Sequence, residues 1–201
     1  LRRQRQMCIR DRYNIEGDAT AIFQAIRSPI LDYYFTIVYM IGFPFLLYFT
    51  PLLYIFSKDI KSLKFVVVAY IIAIVASLPF LIFFPVYDVW YSCQNFPWYN
   101  GKPVYFTLGD IWPGIVNVFF TFTTVDNCFP SLHCCLSAVM AYTAWIKGYN
   151  KYKYVVAVMA ISIPLATLYL GIHWITDIIA GEIIALIAIV LAMKLCGEKW
   201  R

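Results

Sequence analysis

The sequence predicts an all-α protein built as a polytopic bundle of transmembrane helices with short interfacial helices. Of its 201 residues, 62% are hydrophobic and only 13% are charged, and the mean hydropathy is +0.72. These values lie outside the range of ordinary soluble domains. Long stretches without charged residues recur along the chain, and roughly 20 apolar residues of helix cross a bilayer core about 30 Å thick.

Five segments are predicted to span the membrane. The first two, Tyr33 to Phe56 and Phe65 to Tyr87, contain no charged residue. The third, Asn127 to Ile146, and the fourth, Tyr154 to Thr176, each contain one histidine. The fifth becomes long enough if its helix begins near Trp174 and continues to Met193.

Two shorter apolar segments are predicted to lie outside the spanning bundle. Ile111 to Val125 has 15 residues and carries Pro113 and Gly114 near its start. We therefore expect it to lie along the interface or to re-enter rather than to span. Asp18 to Ile26 is predicted to form a short interfacial helix.

The positions of lysine and arginine predict the orientation, because cytoplasmic loops are enriched in them. The loop from Asp88 to Asp126 contains a single basic residue, Lys102. We therefore place this loop and the active site on the extracytoplasmic side of the cell membrane, and the C-terminus in the cytoplasm. Three basic groups mark the cytoplasmic ends of the spans: Lys58, Lys61 and Lys64; Lys147, Lys151 and Lys153; and Lys194, Lys199 and Arg201.

The first twelve residues, LRRQRQMCIRDR, conflict with this orientation because their five arginines would lie outside. A short basic arm that departs from the statistical rule is one explanation. We favour another, namely that residues 1–12 are a non-native segment resembling translated sequencing-adapter read-through. We then expect residues 13–201 to form a single membrane-embedded domain that lacks a sixth, N-terminal span.

Two histidines and an aspartate form the candidate catalytic centre. His133 and His173 lie near the ends of consecutive spans that are joined by a short turn at residues 148–153. At 1.5 Å rise per residue, both lie roughly 22 to 30 Å from that turn and so end near the same level of the membrane. Asp177 follows His173 by four residues and is expected to accept a hydrogen bond from one ring nitrogen, leaving the other free to react.

Other interpretations of these residues stay open at this point. Each histidine could be an interfacial side chain reaching toward water, with Asp177 capping a helix, although ionisable groups within spans are usually functional. A bis-histidine haem or metal site is a second alternative, which leaves Asp177 and the Pro-Ser pair before His133 unexplained. Cys93 and Cys128 lie on the same side, and their spacing does not establish whether they pair.

The segments around the histidines resemble the motifs of a known family. PSLH at Pro130 to His133 is similar to the Pro-Ser-Gly-His motif of the type 2 phosphatidic acid phosphatase superfamily. YLGIHWITDIIAG at Tyr169 to Gly181 is similar to its third motif, and AIRSPILD at Ala25 to Asp32 is a weaker match. The resemblance implies six spans and phosphate transfer through a phosphohistidine intermediate.

The same resemblance implies a role for each candidate residue. His173 would be the nucleophile, Asp177 its orienting partner and His133 the general acid that protonates the leaving oxygen. Imidazole can perform both tasks near physiological pH, so we expect no metal and no other cofactor. Backbone amides at the start of the third span would face the phosphate, with Pro130 in its first turn. The expected substrate-binding residues are Pro130, Ser131, Leu132, Thr167, Tyr169 and Lys102.

Two departures from the family pattern narrow the expected substrate. Ala166 and Thr167 stand where the family usually has a Ser-Arg pair, and the first motif, a Lys followed after six residues by Arg-Pro, is absent from LPFLIFFPVYDVW. A site without this arginine suits a phosphodiester better than a dianionic monoester, with Lys102 or Tyr169 as compensating donors. Three features together resemble the inositolphosphotransferase and inositol phosphorylceramide synthase branch: FPSLH at Phe129 to His133, Thr167 in place of arginine, and FPVYDVW at Phe84 to Trp90.

The leading hypothesis is therefore an integral membrane lipid phosphotransferase or phosphodiesterase that moves a phospho-headgroup from a phospholipid to an alcohol or to water. The alternative is a lipid phosphate phosphatase acting on phosphatidic acid or on isoprenyl phosphates or diphosphates. An inactive membrane scaffold or transporter is the third hypothesis. We expect a lipid substrate within the bilayer and no nucleic-acid partner, and the oligomeric state stays open.

Overall fold

The computed structural model describes residues 2–147 and 151–197, and these residues are almost entirely helical. Four of the described helices are long and apolar enough to cross a membrane. The all-α transmembrane bundle is therefore confirmed. In chain order the helices are α1 (Arg2–Glu16), α2 (Ala19–Gln24), α3 (Pro29–Phe56), α4 (Ile60–Phe83), α5 (Val89–Asn95), α6 (Thr107–Ile111), α7 (Pro113–Phe122), α8 (Leu132–Ile146), α9 (Tyr152–Tyr169) and α10 (Ile175–Cys196).

The third predicted span is shorter than expected. Its helix α8 begins at Leu132 rather than at Asn127 and has 15 residues, so the four long spanning helices are α3, α4, α9 and α10. The preceding residues are extended because they pair with the chain that follows α4: the amide of Cys128 donates to the carbonyl of Val86 at 3.1 Å. Residues 127–131 thus precede the helix and do not form its first turns.

The fourth predicted span also ends earlier than its apolar run. Helix α9 ends at Tyr169, and Gly171 adopts a left-handed conformation with φ of 76°. A Cβ atom on Gly171 would lie 2.7 Å from the carbonyl oxygen of Tyr105, so both the backbone conformation and the contact require glycine. The loop after Gly171 separates α9 from α10, which begins at Ile175, close to the predicted start near Trp174.

The two short segments outside the bundle are short helices, α2 and α7. Helix α2 connects the loop between α5 and α6, here called the outer loop, to the bundle through the buried side chain of Gln24. Its Nε2 donates to the carbonyls of Tyr105 and Tyr169, each at 2.9 Å, and its Oε1 accepts from the amide of Tyr105 at 2.9 Å. Because these groups are withdrawn from water, the bonds hold the outer loop in one position against the end of α9.

Helix α8 lies at the centre of the bundle, in contact with α3, α4, α9 and α10. Small residues allow the helices to approach closely, as is common between membrane helices. The tightest approach is at Gly181 of α10, where a Cβ atom would lie 2.5 Å from the carbonyl oxygen of Ser131. The buried small residues of this region are Ala69 and Ala73 in α4, Ala138 in α8, and Ala185, Ala188 and Ala192 in α10.

We predict that Gly181→Ala destabilises the bundle, because the added methyl group meets backbone atoms that cannot move independently of α8. Overpacking of this kind costs about 1–3 kcal/mol. Thermal unfolding in detergent micelles measures the effect. The matched control is Gly114→Ala, also in a helix, where the nearest atom to the new Cβ is 3.9 Å away. Equal stability of the two variants would contradict the close contact.

Candidate active site

The loop between α9 and α10 positions His173. Backbone amides of Ile172 and His173 both donate to the carbonyl of Thr167, at 3.0 and 3.3 Å, which folds the loop back onto the last turn of α9. His173 is 4% exposed and directly precedes Trp174, the residue that caps the N-terminus of α10. The carboxylate of Asp177 accepts a hydrogen bond from the amide of Trp174 at 2.9 Å. The predicted nucleophile therefore lies on a tight, well-bonded turn.

The start of α8 positions His133, the second residue of that helix. Ser131 caps the helix, and its own amide donates to the carbonyl of Asp177 at 3.0 Å. This bond joins the N-termini of α8 and α10. On α3, the rings of Tyr39 and Phe43 lie 4.7 and 4.6 Å from the imidazole of His133, centroid to centroid, and hold it in place.

The two histidines face one cavity. Their ring centroids are 5.8 Å apart, and both rings line a cavity of about 400 Å³. Nε2 of His173 is buried and has no hydrogen-bond partner among the described residues. An unpartnered imidazole nitrogen beside a second imidazole is the arrangement that nucleophilic attack with general acid assistance requires.

The cavity is lined by both polar and apolar residues. Its polar lining residues besides the histidines include Asp88, Thr123 and Asn127, and no lysine or arginine among the described residues lines it. This combination suits a lipid with a polar group that carries little negative charge. The apolar part is lined by Met40, Phe43, Pro44, Leu47, Ile74, Phe119, Leu132, Leu136 and Ile172.

Asp177 contacts His173 through a third residue. The expected direct hydrogen bond is absent from the described site, since Nδ1 of His173 and Oδ2 of Asp177 are 3.7 Å apart. The thiol of Cys128 lies between them, with Sγ 3.0 Å from Nδ1 and 2.9 Å from Oδ2. If the S–H donates to the carboxylate, Sγ is left to accept from Nδ1–H, and the imidazole keeps its lone pair on Nε2.

The same three residues have the chemistry of a metal-binding group. One ligand atom from each of Cys128, His173 and Asp177 lies within 4.8 Å of the others, and these are donor types that Zn²⁺ uses. Metal binding needs a thiolate, however, and burial raises the pKa of Cys128 well above its ordinary value. The geometry therefore fits a protonated thiol that bridges two polar groups better than it fits a metal ligand.

Three of the predicted binding residues lie at the start of α8. Leu132 lines the cavity, whereas Pro130 and Ser131 are buried beside it. The hydroxyl of Ser131 accepts from the amide of Cys134 at 3.3 Å and donates to its Sγ at 3.2 Å, so it caps the helix. Pro130 precedes the cap instead of forming the first turn, because the helix starts later than predicted.

The other three predicted binding residues do not line the cavity. The hydroxyl of Thr167 is bonded to the carbonyl of Pro164 at 2.8 Å within α9. The hydroxyl of Tyr169 donates to Asp32 and accepts from the amide of Ser28 at 3.3 Å, so it joins α9 to the start of α3. Lys102 is exposed, and its amide bonds to Asp18 at 3.0 Å.

Arg12 contacts the site, although it belongs to residues 1–12, which were predicted to be a non-native segment. Its guanidinium contacts Oδ1 of Asp177, donates to the hydroxyl of Thr176 at 2.6 Å and lies 4.4 Å from the ring centroid of Phe129. It is not among the residues that line the cavity. The contacts with Asp177 thus come from Cys128, Trp174 and Arg12.

Sequence reasoning missed two residues of the site, Cys128 and Asp88. Cys128 was considered only as a partner for Cys93, and both thiols are free in the structure. Asp88 is 3% exposed and lines the cavity beside the histidines. A signal for Asp88 was present, since an acid directly after the apolar run FPVY of the second predicted span is costly to bury without a function.

Comparison with known proteins agrees with this geometry. Residues 88–201 match the model of the PAP2 superfamily, which is more than half of the chain. The chain belongs to the PAP2 superfamily. The match begins at Asp88 and includes both histidines, Cys128 and Asp177, so all of these candidate residues lie in the part of the chain that carries the family assignment.

Two known proteins are similar to this PAP2 protein. It is similar to LpxE of Aquifex aeolicus, whose crystal structure matches with a TM-score of 0.63 and 20% identity over 88% of this chain and 93% of that one. This similarity concerns the fold. An uncharacterised protein of Methanocaldococcus jannaschii is 36% identical over 66 residues, or 33% of this chain, and the matched segment spans 27% of that relative.

We predict that Cys128→Ala lowers the stability of this PAP2 protein, because it leaves the buried Nδ1 of His173 and Oδ2 of Asp177 without their shared partner. An unsatisfied buried polar group costs about 1–3 kcal/mol. Cys128→Ser keeps a hydroxyl in the bridge and should recover most of the loss in thermal unfolding. Cys135→Ala, which removes a buried thiol that bridges no polar groups among the described residues, is the control. A serine variant no more stable than the alanine variant would exclude the bridge.

Proposed function

We propose that the protein is an integral membrane lipid phosphotransferase or phosphodiesterase that moves a phospho-headgroup from a phospholipid to an alcohol or to water. The observation that carries the proposal is the pair of imidazoles 5.8 Å apart on one amphipathic cavity, with Nε2 of His173 unpartnered. Membership of the PAP2 superfamily supports phosphate chemistry in particular. The distribution of lysines supports an active site on the extracytoplasmic face, with the C-terminus in the cytoplasm.

The first half of the proposed reaction transfers the phosphate to the enzyme. Nε2 of His173 attacks phosphorus, the bond to the leaving oxygen breaks, and protonated His133 gives its proton to that oxygen. Asp177, acting through Cys128, favours the tautomer with the lone pair on Nε2 and stabilises the positive charge that develops on the ring. The products are a phosphohistidine and the released alcohol.

The second half regenerates the enzyme. His133, now neutral, takes a proton from an acceptor alcohol or from water, whose oxygen attacks phosphorus as the bond to Nε2 breaks. An alcohol acceptor gives headgroup transfer, and water gives hydrolysis. The first turn of α8 lines the cavity through Leu132 and His133, so the dipole of this helix favours the phosphate anion in both steps.

The charge of the cavity supports a diester as substrate. A monoester dianion needs strong cationic partners, typically a bidentate arginine, and no lysine or arginine lines the described cavity. A phosphodiester carries a single negative charge, which backbone amides and neutral donors can stabilise. The second candidate function, a lipid phosphate or diphosphate phosphatase, is favoured by the family assignment alone.

The catalytic roles predict a graded loss of turnover. His173→Ala should abolish formation of the phosphoenzyme, His133→Ala should lower the rate by about 10²- to 10⁴-fold as expected for loss of a general acid, and Asp177→Asn should cause a smaller loss. Turnover of labelled phospholipid by purified protein measures each rate, with thermal unfolding as the check on folding. Lys102→Ala is the control, since this side chain is exposed and does not line the cavity, and its activity should persist. Full activity in either histidine variant would overturn the roles.

The products distinguish the two candidate functions. Purified protein is incubated with a labelled phosphodiester lipid and, separately, with labelled phosphatidic acid, and the lipids are analysed by mass spectrometry. We expect the headgroup of the diester to pass to an alcohol or to water with little release of inorganic phosphate. Preferential release of inorganic phosphate from phosphatidic acid would establish the phosphatase instead. Absence of turnover on both, equal in wild type and His173→Ala, would indicate a scaffold or transporter.

A further inference from the structure

Asp88 is held between the two segments that carry the catalytic histidines. On one side, the amides of Val89 and Trp90 donate to the carbonyls of Ile172 and Gly171, at 3.3 and 2.9 Å. On the other side, the amide of Asp88 donates to the carbonyl of Val125 at 2.9 Å. These bonds attach residues 88–90 to the loop before α10 and to the segment before α8. The position of Asp88 relative to the cavity is therefore determined by backbone contacts as well as by its side chain.

The carboxyl group of Asp88 is buried and has two hydrogen-bonding neighbours, Trp90 and Cys128. Trp90 Nε1 donates to Oδ2 at 3.1 Å, and Asp88 lines the same cavity as His133 and His173. Two neighbours cannot satisfy every hydrogen-bonding position of a carboxyl group, so Asp88 retains the capacity to bond to a molecule in the cavity. Asp88 thus provides a polar group in the wall of the cavity. No lysine or arginine among the described residues lines this cavity.

The surroundings of Asp88 disfavour a negative charge. Burial raises the pKa of Asp88 well above its ordinary value, and the nearby carboxylates of Asp177 and Asp126 raise it further. The titratable or charged side chains around it also include Tyr39, Cys128, His133 and His173. A carboxylic acid kept neutral in this way can donate a hydrogen bond, a role known for buried acids that stabilise oxyanions.

We propose that Asp88 is a phosphate-binding residue that donates a hydrogen bond from its carboxylic acid to a non-bridging oxygen of the substrate's phosphate. It supplies in neutral form the contact that a cation supplies in other phosphate sites. The donor neutralises no charge, and a buried charge that stays uncompensated costs less free energy for a singly charged diester than for a dianion. The inference rests on the proposed function, because it assumes that the phosphate lies between the two histidines.

The test compares two substitutions of Asp88 that differ in one property. Asp88→Asn keeps the shape and a hydrogen-bond donor but removes the ionisable group, whereas Asp88→Ala removes the donor. A hydrogen bond to a charged group contributes about 1.5–3 kcal/mol, which corresponds to a loss of about 10- to 150-fold in kcat/KM for the alanine variant. The asparagine variant should stay within a few-fold of wild type. Asp110→Asn, a change at an exposed acid that does not line the cavity, is the control.

A second measurement separates this inference from the proposed reaction. Binding of a short-chain phosphodiester lipid is measured in the His173→Ala protein with and without Asp88→Ala, where no turnover is needed. We expect the alanine substitution to weaken binding, and the infrared difference spectrum of wild type minus Asp88→Asn to contain the carbonyl band of a protonated carboxylic acid.

Three outcomes would overturn the role of Asp88. An asparagine variant as impaired as the alanine variant would identify an ionised carboxylate, acting as a base. Unchanged binding and turnover in the alanine variant would show that Asp88 does not contact the phosphate. An ionised carboxylate band in the infrared spectrum would exclude the donor. If the diester binds normally but is never turned over, the proposed function fails while the binding role of Asp88 stands.

Discussion

The contact between the N-termini of α8 and α10 is the constraint on which the rest of the site depends. The amide of Ser131 bonds to the carbonyl of Asp177 at 3.0 Å, and Gly181 lets the two backbones come this close. Each histidine lies within four residues of this junction. Consequently one packing contact sets the separation of the two rings. The first turn of α8 lines the cavity through Leu132 and His133, so the positive end of that helix dipole lies at the cavity.

The chain segment at residues 86–90 provides the second constraint. It bonds to the segment before α8 at Cys128 and to the loop before α10 at Gly171, so it joins the two segments that lead to the candidate histidines. The same segment brings Asp88 into the cavity. Buried polar groups such as Asp88 and Cys128 are costly in a low-dielectric interior unless they are hydrogen-bonded. Here hydrogen bonds connect Cys128 to His173 and Asp177, and connect Asp88 to Trp90.

The sequence placed the two candidate histidines near one level of the bundle for a physical reason. His133 and His173 lie on two consecutive segments joined by a short turn, so their common depth follows from residue counts and helix rise alone. Helix ends were less predictable. An absence of charge does not reveal that the chain stays extended before Leu132 or turns at Gly171, because those features arise from pairing with Val86 and from the contact with Tyr105.

Cys128 and Asp88 are the residues of the site whose contacts the sequence did not predict. The thiol bridges groups that are 45 and 49 residues away along the chain, and Asp88 belongs to a segment bonded to residues more than 80 positions later. The sequence by itself determined the membrane bundle, the family resemblance and the three residues at one depth, since hydropathy, motif and helix rise are properties of the local chain. Only the tertiary structure decided that a thiol lies between imidazole and carboxylate and that an acid faces the cavity, because such contacts exist only once distant segments pack together and exclude water.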